Sequence, residues 1–328
     1  MKYPALIFLL SLLVAVLFAL SLVIGVIEVG PIESLVALFR DSEGPLSMVM
    51  REIRLPRALL GIMVGVSLGL SGAAMQGYLR NPLAEPGVIG ISASAALGAV
   101  IALQSGFSAL FALALPLSAL TGAAACVILI LLLAGRGGGT LSLILAGIAI
   151  SALASALTAL VLNLSPNPFA ANEIVFWMMG SLADRSFLHV WTALPVMALG
   201  WLLLSLTGRG LDRLTLGEEA AASMGVDLKR LRLILVAGVA ACVGAATAVA
   251  GAVGFVGLVI PHILRPLVGA RPARLLLASA LGGAALVLIA DVAVRLILPG
   301  RDLKLGVLLA LVGAPVFFHL IWRMRGQP

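Results

Sequence analysis

The sequence is short of charge. Asp, Glu, Lys and Arg make up only 11% of its 328 residues, where a soluble domain carries roughly 25%. With 62% of residues hydrophobic, too little polar surface is available to cover a water-soluble globule. Cysteine is scarce as well. Cys126 and Cys242 each lie inside an apolar run, which excludes a disulfide framework and reads as two small core residues. His189, His262 and His319 fall on three separate segments, too dispersed for a metal cluster. Lysine occurs only as Lys2, Lys229 and Lys304, none of them after a glycine. A phosphate-binding loop needs Gly-Lys followed by Ser or Thr, so a nucleotide site is not expected on this chain.

What the sequence has is long apolar runs. Their continuity favours helices over a β-barrel, whose strands would alternate. A span needs roughly 20 apolar residues, and ten candidates run 5–27, 58–79, 88–106, 108–134, 141–164, 187–206, 233–251, 253–268, 275–298 and 305–322. The first is too long for a signal-peptide core and lacks a small-residue cleavage pattern, so a retained helix is expected. Pro261 and Pro266 interrupt the eighth, which predicts a broken or half-length helix. The fold class is therefore all-α and polytopic, with one transmembrane domain over residues 1–328 and a polar inner loop over 212–228.

Ten spans put both termini on one side. With the N-terminus inside, 13 basic residues face inward and 8 outward, the bias expected of a cytoplasmic inner face. The net charge of +7 follows from these loops and does not call for nucleic acid. Four outer arginines, Arg40, Arg51, Arg54 and Arg57, cluster against the rule. In the second span Gly61, Gly65 and Gly69 recur every four residues, followed by Ser71 and Gly72. Such small faces let helices approach closely in lipid, and are compatible with rocking along them. The seventh run repeats the theme with Gly238, Gly244, Gly251 and Gly254.

Residues 209–232 form the clearest polar anomaly. Thr215 is expected to cap a short helix whose first turn holds Glu218 and Glu219, with Gly225 ending it. A capped helix between two spans suits docking by a cytoplasmic partner. Asp291 and Arg295, four apart near the outer end of the ninth span, are expected to pair.

Together these segments resemble the FecCD-type permeases of bacterial ABC importers for ferric siderophores, haem and vitamin B12. The motifs are RLPR at 54–57, SGAAMQ at 71–76, RNPLAEPG at 80–87, LAG at 145–147, LGEEAAASMGV at 216–226, GFVGLVIPHILR at 254–265, AD at 290–291 and GAPVF at 313–317. Several long motifs in order, from about Arg51 to Trp322, make the resemblance specific.

It implies a type II ABC importer permease fold, paired as a homodimer in the inner membrane. Two ATP-binding subunits holding ATP and Mg2+ would sit beneath, and a periplasmic binding protein would deliver a metal chelate. Leu216, Gly217, Glu218, Glu219, Ala220, Ala221, Ser223, Met224, Gly225 and Val226 match the coupling helix. Arg54, Arg57 and Arg295 match outward arginines that pair with glutamates of the binding protein. Thr140 and Leu141 fall near the inner gate. Gln76, Asn81, Pro82, Pro261, His262, Arg265 and Asp291 match structural motif positions. The second, fifth and tenth spans would line the path. The family's Glu-Leu-Pro-x-Gly before the last span reads here Asp302-Leu303-Lys304-Leu305-Gly306, without the proline. Residues 163–187 look more like the haem and iron-chelate branch than the cobalamin branch.

Two other classes fit worse. An ion-coupled secondary transporter places acidic residues at mid-membrane, and these spans are nearly empty of charge at their centres. A membrane enzyme needs a clustered acid, base, nucleophile or metal set, and none is apparent, so no cofactor is expected on this chain.

Overall fold

An apolar run in lipid must satisfy its own peptide groups, and in the computed structural model these runs become helices. The structure describes residues 2–25, 30–39, 44–111, 113–134, 140–165, 168–298 and 303–325. Ile27, Arg40, Asp302 and residues 166–167, used above, lie outside the described residues, as do Arg136 and Arg301, two of the basic residues counted by side.

In chain order the helices are α1 (Tyr3–Val23), α2 (Pro31–Phe39), α3 (Pro45–Met48), α4 (Leu55–Tyr78), α5 (Ile91–Gln104), α6 (Ala114–Ala134), α7 (Thr140–Asn163) and α8 (Pro168–Met178). They continue with α9 (Phe187–Leu206), α10 (Gly208–Leu214), α11 (Glu218–Ser223), α12 (Leu228–Ala250), α13 (Val256–Leu264), α14 (Pro272–Ile297) and α15 (Leu305–Arg325). A π-helical turn, Val49–Arg54, joins α3 to α4. Among the described residues there is no strand. Among the described residues, seven helices are long and apolar enough to cross a membrane, and two shorter apolar ones run 91–104 and 305–319. With the half-length α13, each of the ten predicted runs corresponds to a helix.

The boundaries differ where local chemistry overrides hydropathy. The helix predicted from 88 begins at Ile91, because Gly90 turns the chain at φ +82° after the Pro86–Ile89 turn. That predicted from 108 begins at Ala114, after Gly106 turns at φ +72° into a 3-10 turn over Phe107–Ala109. That predicted from 233 begins at Leu228. Asp227 caps it, its carboxylate accepting the Lys229 and Arg230 N–H groups at 3.0 Å, so charged residues enter the first turn. The eighth run is a nine-residue helix, α13, followed by a 3-10 turn at Pro266–Val268.

Two contacts fix the direction of three spans. The Tyr3 hydroxyl donates to the Arg274 carbonyl at 3.3 Å, joining the first turns of α1 and α14. At the far end, Arg54 and Arg295 donate to carbonyls of residues 21–24. Thus α1 and α14 run parallel, and α4 runs against both.

Between helices in lipid the driving force is close packing, not exclusion of water. The glycines of α4 supply it. A Cβ on Gly65 would collide with the Gly283 carbonyl of α14, and a Cβ on Gly283 with the Gly65 carbonyl. Gly69 meets the Ser279 carbonyl, and Gly72 meets Gly257 of α13. The same device recurs between α5 and α6, where Gly98 faces the Ser118 carbonyl and Gly122 the Ser94 carbonyl. Gly238 and Gly244 instead accommodate side chains of Leu204 and Ala123. Cys126 and Cys242 are free and buried, as their apolar settings suggested.

Replacing Gly72 by Ala should destabilise the protein by about 1–3 kcal/mol, the cost of overpacking, because rigid backbone occupies the space. Replacing Gly87, which has nothing within 4 Å of its added Cβ, should leave the midpoint of unfolding in detergent unchanged. Equal midpoints for the two variants would contradict the packing account.

Candidate functional site

The end of the bundle at which α4 stops carries the polar segment 207–227. Helix α11 is there as expected, with Glu218 and Glu219 in its first turn and Gly225 turning the chain at φ +82° beyond it. Its cap is not the expected one. Gly217 holds the N-cap position at φ +107°, and the Thr215 hydroxyl donates to the Asp212 carbonyl at 2.7 Å. A preceding helix, α10, went unpredicted. Its last turn runs on through Thr215, which removes Thr215 from the capping position.

Helix α11 is short but well tied. The Thr140 hydroxyl, at the first residue of α7, donates to Glu218 Oε1 at 2.8 Å. Asp212 Oδ1 accepts the Ala273 N–H at 2.8 Å and so caps α14. Arg213 donates to the Met224 carbonyl at 3.1 Å, and Asp227 caps α12. The two short helices are thereby anchored together: α11 to α7 through Glu218, α10 to α14 through Asp212, and α10 to the end of α11 through Arg213. Ala221 points inward and is fully buried, while Leu216 is 70% and Met224 41% exposed. Glu219 and Ser223 are also exposed, and Val226 is half-buried. Leu141, beside Thr140, is exposed too. Two large apolar side chains on a polar loop form the kind of patch that a partner covers.

At the opposite end, where α4 begins, Asp291 is the pivot. It is 1% exposed, and both oxygens are engaged. Arg57 approaches from α4, Nη2 lying 2.8 Å from Oδ1 and Nε donating to the same oxygen at 2.9 Å. Arg295, one turn along α14, donates Nη2 to Oδ2 at 2.7 Å, the pairing that the spacing predicted. Arg295 also donates to the Ser21 carbonyl at 2.9 Å, the Ser21 hydroxyl at 2.7 Å and the Ile24 carbonyl.

Arg54 was expected to face outward and does not. Only 4% of it is exposed, and Nη1 donates to the Leu22 and Val23 carbonyls at 3.0 and 2.7 Å. The last carbonyls of a helix lack partners within it, and here two guanidiniums supply donors to the end of α1. That need is invisible in a sequence where Arg54 and Leu22 stand 32 positions apart. The three arginines thus form one buried network, of which the Arg57 side chain, at 17%, is more exposed than that of Arg295, at 7%.

The remaining motif positions meet around the C-terminal half of α4 and the loop after it. Gln76 Nε2 donates to the Gly257 and Leu258 carbonyls at 3.4 and 3.2 Å, and its Oε1 accepts from Arg265 at 2.7 Å. Asn81 Oδ1 accepts the Leu83 N–H at 2.9 Å, a local turn continued by the half-buried Pro82. Pro261 and His262 lie in the second half of α13. Sequence reasoning missed Glu85, whose Oε1 accepts the Phe255 N–H at 2.8 Å. Its place inside RNPLAEPG was visible, but its partner 170 residues away was not.

A family model described as the FecCD transport family matches residues 12–323. The chain belongs to the FecCD transport family. Among curated FecCD relatives, the vitamin B12 import system permease protein BtuC of Klebsiella pneumoniae is 41% identical over 278 residues, 84% of this chain and 83% of that one. BtuC of Escherichia coli O9:H4 is 40% identical over 276 residues, with the same coverage. Among solved structures, an inward-facing conformation of a metal-chelate type ABC transporter superposes with a TM-score of 0.86. It is 32% identical and covers 98% of this chain and 99% of that one. PsaBC from Streptococcus pneumoniae in complex with Fab matches at a TM-score of 0.53 and 15% identity, which shows fold alone.

In this FecCD chain, Asp291→Asn would leave two arginines facing a neutral group. Removing one partner of a buried ion pair costs about 3–5 kcal/mol. A large fall in the thermal midpoint of the purified protein is expected, and an unchanged midpoint would show that the network is not structural.

Proposed function

We propose that this chain is the membrane-spanning permease subunit of an ABC importer that brings a metal chelate into the cytoplasm. A homodimer in the inner membrane, with both termini cytoplasmic, works with two ATP-binding subunits that hold ATP and Mg2+. A periplasmic binding protein loads it. The observation that carries the proposal is the α10–α11 segment, which exposes Leu216 and Met224 on either side of α11 while Glu218 ties it to α7 and Asp212 ties it to α14. Force applied there reaches α7 and α14 through short hydrogen bonds. The permease performs no covalent chemistry; it offers a path and two conformations whose populations ATP shifts.

The binding protein docks at the outer end. Arg57 is the best placed of the three arginines to meet a carboxylate, and Arg54 and Arg295 hold the surface beneath it. Rim charges of this kind steer association and fix orientation. The cargo is an iron chelate, haem or a ferric siderophore, a reading supported by residues 163–187. Cobalamin is a second reading, favoured by the two relatives at 40–41% identity that are named for vitamin B12 import.

Cells carrying the complete system should accumulate one of three labelled compounds: haem, a ferric siderophore or cyanocobalamin. Accumulation of none would overturn the metal-chelate assignment. Replacing Glu218, Glu219 and Gly225 together should cut uptake at least about tenfold, a loss on the scale of one hydrogen bond, while ATP hydrolysis continues. Undiminished uptake in that variant would remove the coupling role from α11.

A further inference from the structure

Between α12 and α13 the chain leaves helical geometry. Ala250 ends one helix, Val256 begins the next, and the backbone between them is irregular. Irregular backbone at membrane depth is tolerated only where protein or a polar cavity satisfies it. The first N–H groups of α13 need acceptors, normally a Ser, Thr, Asp or Asn side chain at the N-cap. Here the N-cap is Phe255, at φ +67°. A bulky residue there is an uncommon and strained choice.

Two contacts hold it. The Phe255 N–H donates to Glu85 Oε1 at 2.8 Å, from the loop that follows α4. Its ring lies on α15 at Gly313, where an added Cβ would collide with the Phe255 Cβ, Cγ and Cδ1. The next residues are gripped from α4, by Gln76 on the Gly257 and Leu258 carbonyls and by Gly72 against Gly257. A cavity of about 160 Å3 opens beside them, with Glu85, Ser92, Val253 and Gly257 among its lining residues. Three motifs, SGAAMQ, RNPLAEPG and GAPVF, therefore converge on residues 255–258 of a fourth, GFVGLVIPHILR.

We propose that Glu85 is a positioning residue for transport: its carboxylate fixes the α12–α13 break so that the Phe255 ring is wedged against Gly313, joining the loop after α4 to α15. The proposal rests on the importer assignment above, in which α4 and α15 belong to the path. Strain at Phe255 that a glycine would relieve is kept because glycine has no ring to press on α15.

The test uses the permease with its ATP-binding and binding-protein partners in vesicles, with haem, a ferric siderophore and cyanocobalamin as probes. Uptake and ATP hydrolysis are measured together. Glu85→Ala should lower uptake about tenfold, the scale of one lost hydrogen bond, and raise the ATP consumed per molecule imported. Glu85→Gln, whose amide oxygen still accepts, should stay within about threefold of wild type. Gly313→Ala should reproduce the defect of Glu85→Ala, and Phe255→Gly/Gly313→Ala should be no worse than Phe255→Gly alone, since the clash needs the Phe255 side chain, its Cβ included. A purely structural role would lower thermal midpoints without changing ATP per molecule imported, and would overturn the proposal. So would Glu85→Gln as inactive as Glu85→Ala, or Gly313→Ala at wild-type uptake. A wild-type complex that accumulates no probe overturns the importer assignment and this proposal with it. One that does, alongside unaffected variants, overturns this proposal alone.

Discussion

Backbone held against backbone is the constraint on which the structure depends. Lipid tails are as apolar as leucine, so burying leucine between helices gains little in a membrane. What distinguishes a packed pair from two lipid-coated helices is the number of atoms in close contact, and that number rises when glycine removes the side chain between them. Helix α4 uses this along its length. Gly65 and Gly69 admit α14, and Gly72 admits α13. The reciprocal collision at Gly65 and Gly283 means that neither helix can take a side chain there without moving the other. The spacing alone allowed rocking along these faces. The interlocked carbonyls make α4, α13 and α14 a unit that moves together, if it moves.

Polar groups then occupy the two ends of that unit. At the outer end one carboxylate, Asp291, serves two arginines, while a third arginine completes α1. At the other end Glu85 provides for the broken segment between α12 and α13 and Gln76 for the first turn of α13, while Glu218 ties α11 to α7 and Asp212 ties α10 to α14. These groups sit where helices start, stop or break, which are the places where peptide groups lack partners.

Much of this was legible in the sequence. Hydropathy located every long helix, because length and apolarity are what a membrane demands. The prolines of the eighth run foretold the short α13, and the four-residue step from Asp291 to Arg295 foretold their pairing. What was not legible depends on partners far apart in sequence. Arg54 is inward because α1 ends beside it. Thr215 does not cap α11 because it closes α10. Glu85 matters because of Phe255. Short helices such as α2, α8 and α10 carry no long periodic signal, and polar flanks disguised them as loops.

Function follows from this division of labour. A rigid central unit with a tied knob at one end and a charged rim at the other suits a device that is worked from the cytosol and loaded from outside. The account stands or falls on the motor being separate. The most direct measurement is accumulation of a labelled metal chelate by vesicles containing the purified chain and binding protein, with and without the companion ATP-binding subunit. The account predicts accumulation only when that subunit and ATP are both present. Accumulation by the chain without any ATPase would contradict it.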